Sequence, residues 1–174
     1  MSSMPKAIIE ALLLASGEPL QLKRLCEIVN SEYDASQIQQ VLTELEQDYH
    51  DRGIRLVQLS SGYCFQTAPE LKNWITRLFP ENNIRCSRAL LETLAVIAYR
   101  QPVTRGEVEA IRGVTVNSLL INTLLDYEWI RVVGQSQVPG RPNLYATTQQ
   151  FLDHFNLKSL NDLPQAENLM PRTE

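Results

Sequence analysis

Histidine and cysteine are the side chains best suited to act as nucleophiles, acid–base groups or metal ligands near neutral pH, and here they are few and scattered. His50 and His154 each stand alone, with no second histidine or carboxylate at a ligand spacing. Cys26, Cys64 and Cys86 are an odd number at wide spacing without a C-x-x-C pair, so the sequence offers neither a zinc site nor a dithiol redox site. They read as small apolar residues kept reduced in a cytosol. A Gly-rich phosphate loop, G-K-[ST], G-x-S-x-G and H-E-x-x-H are all absent. No catalytic activity, metal or cofactor is expected.

The chemistry that remains is recognition. Val138-Pro139-Gly140-Arg141-Pro142 places a guanidinium among turn-forming residues, and two readings of it stand: a rigid turn, or a turn that presents Arg141 as a partner's anchor. Bulk electrostatics gives no help with nucleic acid. Sixteen Lys and Arg against 20 Asp and Glu leave a net charge of -4, the wrong sign for a protein that coats phosphates. The imbalance is spread along the chain: residues 1–86 carry 8 basic and 11 acidic side chains, and residues 87–174 carry 8 and 9.

The elements that must position these residues follow from apolar spacing. A chain of 174 residues with 44% hydrophobic and 21% charged residues is one ordinary globular domain or two small ones. Ile8, Ile9, Leu12, Leu13 and Ala15 recur at helical intervals until Gly17 and Pro19 stop them. Leu20, Leu22, Leu25, Ile28 and Val29 make a second helix, and Asp34 caps a third that carries Ile38, Val41, Leu42, Leu45 and Tyr49. Residues 54–59 and 63–67 then read as strands joined through Ser60-Ser61-Gly62, and a further helix follows Pro69 until Pro80. Helix, helix, helix, hairpin is the winged helix-turn-helix order.

After a polar linker at 81–86 the program repeats. Ser87 caps a helix through Tyr99, Thr104 and Glu107 stand at capping-box spacing before a helix ending at Gly113, and a third helix runs from Thr115 to Tyr127. Strands at 129–133 and 144–147 flank the Val138–Pro142 loop, which is the wing. Pro19 answers Pro102, and Ile54-Arg55-Leu56-Val57 answers Ile130-Arg131-Val132-Val133, corresponding segments lying about 80 residues apart. The fold class expected is α+β, mostly α, as two tandem winged-helix domains over 1–80 and 87–164, with a disordered tail at 165–174.

A winged helix normally reads DNA with its third helix. The third helix of the first module carries Glu44, Glu46, Asp48 and Asp51 and no Lys or Arg, and that of the second offers only Asn117, Ser118, Asn122 and Thr123. A DNA-binding transcription regulator, the alternative, would have to rely on Arg131 and Arg141 in the wing. Protein recognition fits these helices better. On the first helix Ile8, Ile9, Leu12 and Leu13 either are wrapped by their own domain or lie partly in a subunit interface. The longest apolar runs, Ala11–Ala15 and Leu94–Ala98, are five residues, against about 20 for a membrane span, so no membrane association is expected.

The stretch Leu91-Glu92-Thr93-Leu94-Ala95-Val96-Ile97-Ala98-Tyr99-Arg100-Gln101-Pro102-Val103-Thr104-Arg105-Gly106-Glu107 through Val114, with Val138–Pro142, Leu144-Tyr145 and Phe155-Asn156-Leu157-Lys158-Ser159-Leu160 through Pro164, resembles the bacterial segregation and condensation protein B family. It departs at Ala146, where a glycine is expected, and across 116–129. The resemblance implies two winged-helix domains and a non-enzymatic, cytoplasmic, nucleoid-associated homodimer formed through the first domains. It further implies binding to the kleisin, segregation and condensation protein A, whose ends bridge the SMC ATPase heads, with chromosomal DNA met indirectly or weakly. Carried over, the matched stretch assigns partner contact to Tyr99, Arg100, Gln101, Pro102, Arg105, Pro139, Gly140, Arg141 and Pro142.

Overall fold

Two sets of buried apolar residues, from separate stretches of sequence, divide the chain. The computed structural model forms two compact units, residues 1–83 and 84–174, and describes residues 4–29, 32–78 and 86–164. Most of the expected linker, the expected tail and Pro80 lie outside the described residues. Both units are winged helices, and the chain is a mostly helical α+β protein.

The first unit comprises α1 (Met4–Ser16), α2 (Leu22–Ile28), α3 (Ala35–Asp48), the hairpin β1 (Ile54–Leu59) and β2 (Gly62–Thr67), and α4 (Lys72–Leu78) after a short 3-10 turn. The capping box of α3 pairs Asp34 with Gln37: Asp34 Oδ1 accepts from Gln37 N–H at 2.8 Å, and Gln37 Oε1 accepts from Asp34 N–H at 2.9 Å. From that start Ile38, Val41, Leu42 and Leu45 fall on one buried face and pack with Ile9, Leu13, Leu25, Leu56 and Tyr63. Lys6 ties α1 to the far end of α3, with Nζ 2.6 Å from Asp48 and 3.4 Å from Glu44. Beside it the Tyr49 hydroxyl donates to Glu10.

The hairpin turns tighter than the sequence suggests. Leu59 pairs with Gly62, so Ser60 and Ser61 alone make the loop and Gly62 opens the strand. Leu20 bonds Tyr63 in both directions, at 2.8 and 2.9 Å, as an isolated bridge on the hairpin's other side. Gly62 lies at φ +141 there, and a Cβ would stand 2.3 Å from the Leu20 carbonyl carbon, so this close approach requires glycine.

The second unit comprises α5 (Arg88–Arg100), β3 (Val103–Thr104), α6 (Arg105–Arg112), α7 (Ser118–Asp126), β4 (Ile130–Gln135), β5 (Asn143–Thr147) and α8 (Gln149–His154). Ser87 caps α5, Thr104 and Glu107 form the capping box of α6, and Gly113 ends α6 at φ +69. The core gathers Leu94, Ile97, Val108, Ile121, Leu124, Ile130 and Phe151 around Trp129. Trp129 also meets His154 at 4.5 Å and Phe155 at 5.2 Å between ring centroids, and burial there lowers the His154 pKa.

Two elements differ from expectation. The sheet has order β3-β5-β4, adding a two-residue strand, Val103-Thr104, too short to leave a periodic signal. The third helix begins at Ser118 rather than Thr115. Gly113 turns the chain out of α6, Val116 is buried in the connection with its N–H donating to Glu109 at 2.9 Å, and Asn117 caps the helix by accepting from Leu119 N–H.

Candidate functional site

The third helices are the first place to look on winged helices, and neither is suited to phosphate. α3 carries Glu44, Glu46 and Asp48 without a Lys or Arg. α7 carries no basic residue and presents Leu119, 67% exposed, where a DNA reader would place a hydrogen-bonding side chain.

The Tyr99–Arg105 stretch spans the corner between α5, β3 and α6, and most of its polar groups are engaged inside the unit. The Tyr99 hydroxyl donates to the Pro164 carbonyl. Gln101 Oε1 accepts from Thr147 N–H at 2.7 Å and from its hydroxyl at 2.9 Å, while Gln101 Nε2 donates to the Ala98 carbonyl at 3.0 Å. Arg105 donates to Glu109 at 3.0 Å and to Ser118 at 2.8 Å. Thr104 N–H donates to the Glu107 carboxylate at 2.7 Å. Arg100 and Pro102 stand exposed, Pro102 following a cis peptide bond.

The wing is closed at its neck by Ser136 N–H donating to the Pro142 carbonyl at 2.9 Å, and at its tip by Arg141 N–H donating to the Val138 carbonyl at 3.0 Å. Pro139 and Gly140 fill the middle of that tip, and Gly140 at φ +87 supplies the positive φ a type II turn needs third in the turn. Pro139, Gly140 and Arg141 are exposed and Pro142 is half-buried. Both readings of the loop are thus compatible: the turn is rigid, and it holds Arg141 outward. Arg131 is exposed on β4.

Of the two readings of the first helix, the packing of its four candidates fits the one in which their own domain wraps them. Ile9 is 1% and Leu13 3% exposed, and Ile8 and Leu12 pack against the same core, so these four face inward within their own unit. The outward face is Met4, Ala7, Ala11 and Leu14, with Leu14 70% exposed. A helix with apolar residues all round leaves this choice open in sequence, because periodicity does not say which side is the core.

Sequence reasoning missed a polar network behind the α5–α6 corner. The Arg112 guanidinium, nearly buried, donates to Thr93 at 3.0 Å and Glu92 at 2.8 Å, and Arg88 reaches Glu92 from the previous turn at 2.8 Å. These partners hold Glu92 below the usual carboxylate range, Arg112 contributing most. Glu109 is held low first by the Val116 N–H and then by Arg105, and Glu107 by the Thr104 N–H and hydroxyl. Only the i to i+4 spacing of Arg88 with Glu92 and Arg105 with Glu109 signals any of this. Also unforeseen is an apolar hollow of about 320 Å³ between α5 and the segment after α8, lined by Leu91, Leu94, Tyr99, Phe151, Phe155 and Leu163 among others. Among the described residues no group of three or more His, Cys, Asp or Glu could hold a metal ion, and no helix is long and apolar enough to cross a membrane.

Two winged helices in tandem, with non-basic third helices and outward apolar residues, define a tandem winged-helix protein whose recognition helices are not built for DNA. Residues 7–166 match the family model described as segregation and condensation complex subunit ScpB. The segregation and condensation protein B homolog of Coxiella burnetii is 50% identical over 168 residues, covering 95% of this chain and 80% of that protein. The segregation and condensation protein B of Syntrophotalea carbinolica is 43% identical over 171 residues, covering 97% and 85%. The chain belongs to the segregation and condensation protein B family. Among solved structures, a dimer of the ScpB N-terminal domain complexed with ScpA peptide is 34% identical and covers 42% of this chain and 91% of that one, with a TM-score of 0.39.

Proposed function

We propose that the chain is a non-enzymatic subunit of an SMC–kleisin condensin complex, a homodimer that binds the kleisin, segregation and condensation protein A, and through it the SMC ATPase, in chromosome condensation and partition. The observation that carries the reading is the family match across residues 7–166. The missing basic residues on α3 and α7 support it, because they favour a protein partner over phosphate. In this reading the first unit dimerises through the outward face of α1. The second unit meets the kleisin through Arg100, Pro102 and the wing tip, and DNA is met indirectly or weakly. The protein works in the cytoplasm, at the nucleoid.

Affinity capture of the tagged protein from its own cells, with nuclease present to remove bridging DNA and co-purifying chains identified by mass spectrometry, tests the proposal. Recovery of a kleisin and an SMC ATPase is expected. Recovery of neither by a folded bait refutes it. If the kleisin is captured but Arg100→Ala and Arg141→Ala leave its affinity unchanged, the contact belongs to other residues than these.

The wing arginines favour one second reading, direct DNA binding. Arg131 and Arg141 are exposed and form no ion pair among the described residues. That reading requires an affinity for duplex DNA that falls steeply with salt, and no binding at low salt ends it.

A further inference from the structure

β4 is an edge strand. In the order β3-β5-β4 it pairs with β5 on one side only, and among the described residues no strand or isolated bridge lies on the other. Opposed residues of an antiparallel pair alternate between those that bond each other and those that do not, and two bonds fix the phase here. Thr148 N–H donates to the Trp129 carbonyl at 3.1 Å, so Trp129 is in the bonded class. Ile130 opposite Thr147 is therefore not, and Thr147 N–H indeed points away from β4, to Gln101. Arg131 opposite Ala146 is bonded again, and Val132 opposite Tyr145 is not. The N–H and C=O of Val132 thus face the open side.

An edge of this kind is a template for another strand unless it is blunted. The bulge between Val132 and Gly134 is a partial guard, yet Val132 and Val133 are 46% and 43% exposed, residue types that favour sheet pairing. Charge then selects the occupant. Arg131 stands at the start of the strand and Arg141 in the loop beyond its end, with about 13 Å of strand between Arg131 and Gln135. Neither arginine forms an ion pair among the described residues, and Glu128, which borders the same hollow as Arg131, does not reach it.

We infer that the open edge of β4 takes an extended, carboxylate-bearing segment of the kleisin as an added strand, bonded to the outward N–H and C=O of Val132 and with its acidic side chains on Arg131 and Arg141. The inference rests on the kleisin-binding reading above and names the main-chain contact that reading lacks. Proline at 132 removes an N–H that the β5 ladder does not use, so Val132→Pro strikes the added strand and spares the existing one.

The test measures binding of the full chain to its full-length kleisin by calorimetry, with hydrogen exchange on the free and bound wild-type protein. Expected are a loss of about 10-fold or more in affinity for Val132→Pro, a loss for Arg131→Glu that shrinks as salt rises, and exchange of the Val132 N–H that is slowed only in the complex. Exchange on the wild-type chain keeps the test independent of whether Val132→Pro folds. Unchanged exchange of the Val132 N–H in a formed complex overturns the edge contact and leaves the kleisin-binding reading standing. Slow exchange of that N–H in the free protein assigns the edge to a second copy and also overturns it. If Arg131→Glu abolishes duplex DNA binding with kleisin affinity intact, the wing belongs to DNA. No binding of the kleisin to wild type removes both proposals together.

Discussion

Replacing Gly62 by alanine adds one methyl group at a place where two segments of backbone nearly touch. The new Cβ would lie 2.3 Å from the carbonyl carbon of Leu20, 2.4 Å from its oxygen and 2.6 Å from Gln21 N. Main chain cannot swing aside as a side-chain tip does, so relief requires Leu20 to withdraw from Tyr63. That breaks the 2.8 and 2.9 Å bonds of the bridge, worth about 0.5–1.5 kcal/mol each. The backbone at φ +141 adds a further strain of about 1–3 kcal/mol for a residue with a Cβ. Together these give a loss of about 3 kcal/mol or more, a large part of the 5–15 kcal/mol that holds a domain folded. The loss falls on the first unit alone, because the two cores share no residue. Hydrogen exchange of peptides spanning 54–67 in increasing urea reads the first unit, and fluorescence of the buried Trp129, in a Trp74→Phe background that removes the first unit's tryptophan, reads the second. Wild-type protection of 54–67 in Gly62→Ala refutes the reasoning. Gly106→Ala is the control of opposite sign: Gly106 lies inside α6 with nothing within 4 Å of a new Cβ, so the second unit gains up to about 1 kcal/mol.

Acid should weaken the second unit. Glu92, Glu107 and Glu109 are all held below the usual carboxylate range, so the fold favours their ionised forms. Their contribution is full above the pH where unfolded carboxylates titrate and is lost as pH falls through the lower folded values. A urea midpoint by Trp129 fluorescence in the Trp74→Phe background that stays flat from about pH 7 to about pH 3 contradicts this. Within the motif corner, Gln101→Ala strands the Thr147 N–H and lowers the second unit's stability by about 1–3 kcal/mol, whereas Arg100→Ala leaves stability unchanged and weakens kleisin binding. Equal stability losses for the two variants by urea denaturation would show that the corner does not divide as described. Leu14→Asp converts a dimer to folded monomers by light scattering if the outward face of α1 is the interface, while Leu12→Asp disrupts the first unit itself. An unchanged dimer mass for Leu14→Asp removes that face from the model.

What was legible in the sequence is what neighbouring residues decide. The cap at Asp34, the box of Thr104 with Glu107, the left-handed stop at Gly113 and the apolar face of α3 all follow from residues a few positions apart. What was not legible joins residues far apart in the chain. Val103-Thr104 becomes a strand only because Tyr145 and Leu144 arrive beside it. Arg112 is recognisable as a nearly buried link only once α6 lies against Glu92 and Thr93. The inward side of α1 was undecidable locally, since Ile8, Ile9, Leu12 and Leu13 and the outward Ala7, Ala11 and Leu14 are all apolar.

The same division bears on how a family motif should be read. Tyr99, Gln101, Thr104 and Arg105 belong to the stretch that most resembles the family, yet each makes a bond inside the second unit, to Pro164, Thr147, Glu107 and Ser118 respectively. A residue whose polar atoms are already bonded gains little by meeting a partner and exposes unpaired groups if it turns away to do so. The corner therefore sets the geometry of β3 and β5, because Gln101 holds Thr147, and β5 in turn fixes the register of β4. Groups with unmet bonding capacity lie one strand further out, at the Val132 main chain and the arginines to either side of it. The bonded part of the motif then marks the frame that aims the wing, and beyond the exposed Arg100 and Pro102 the contacts are to be sought on the wing's own free edge.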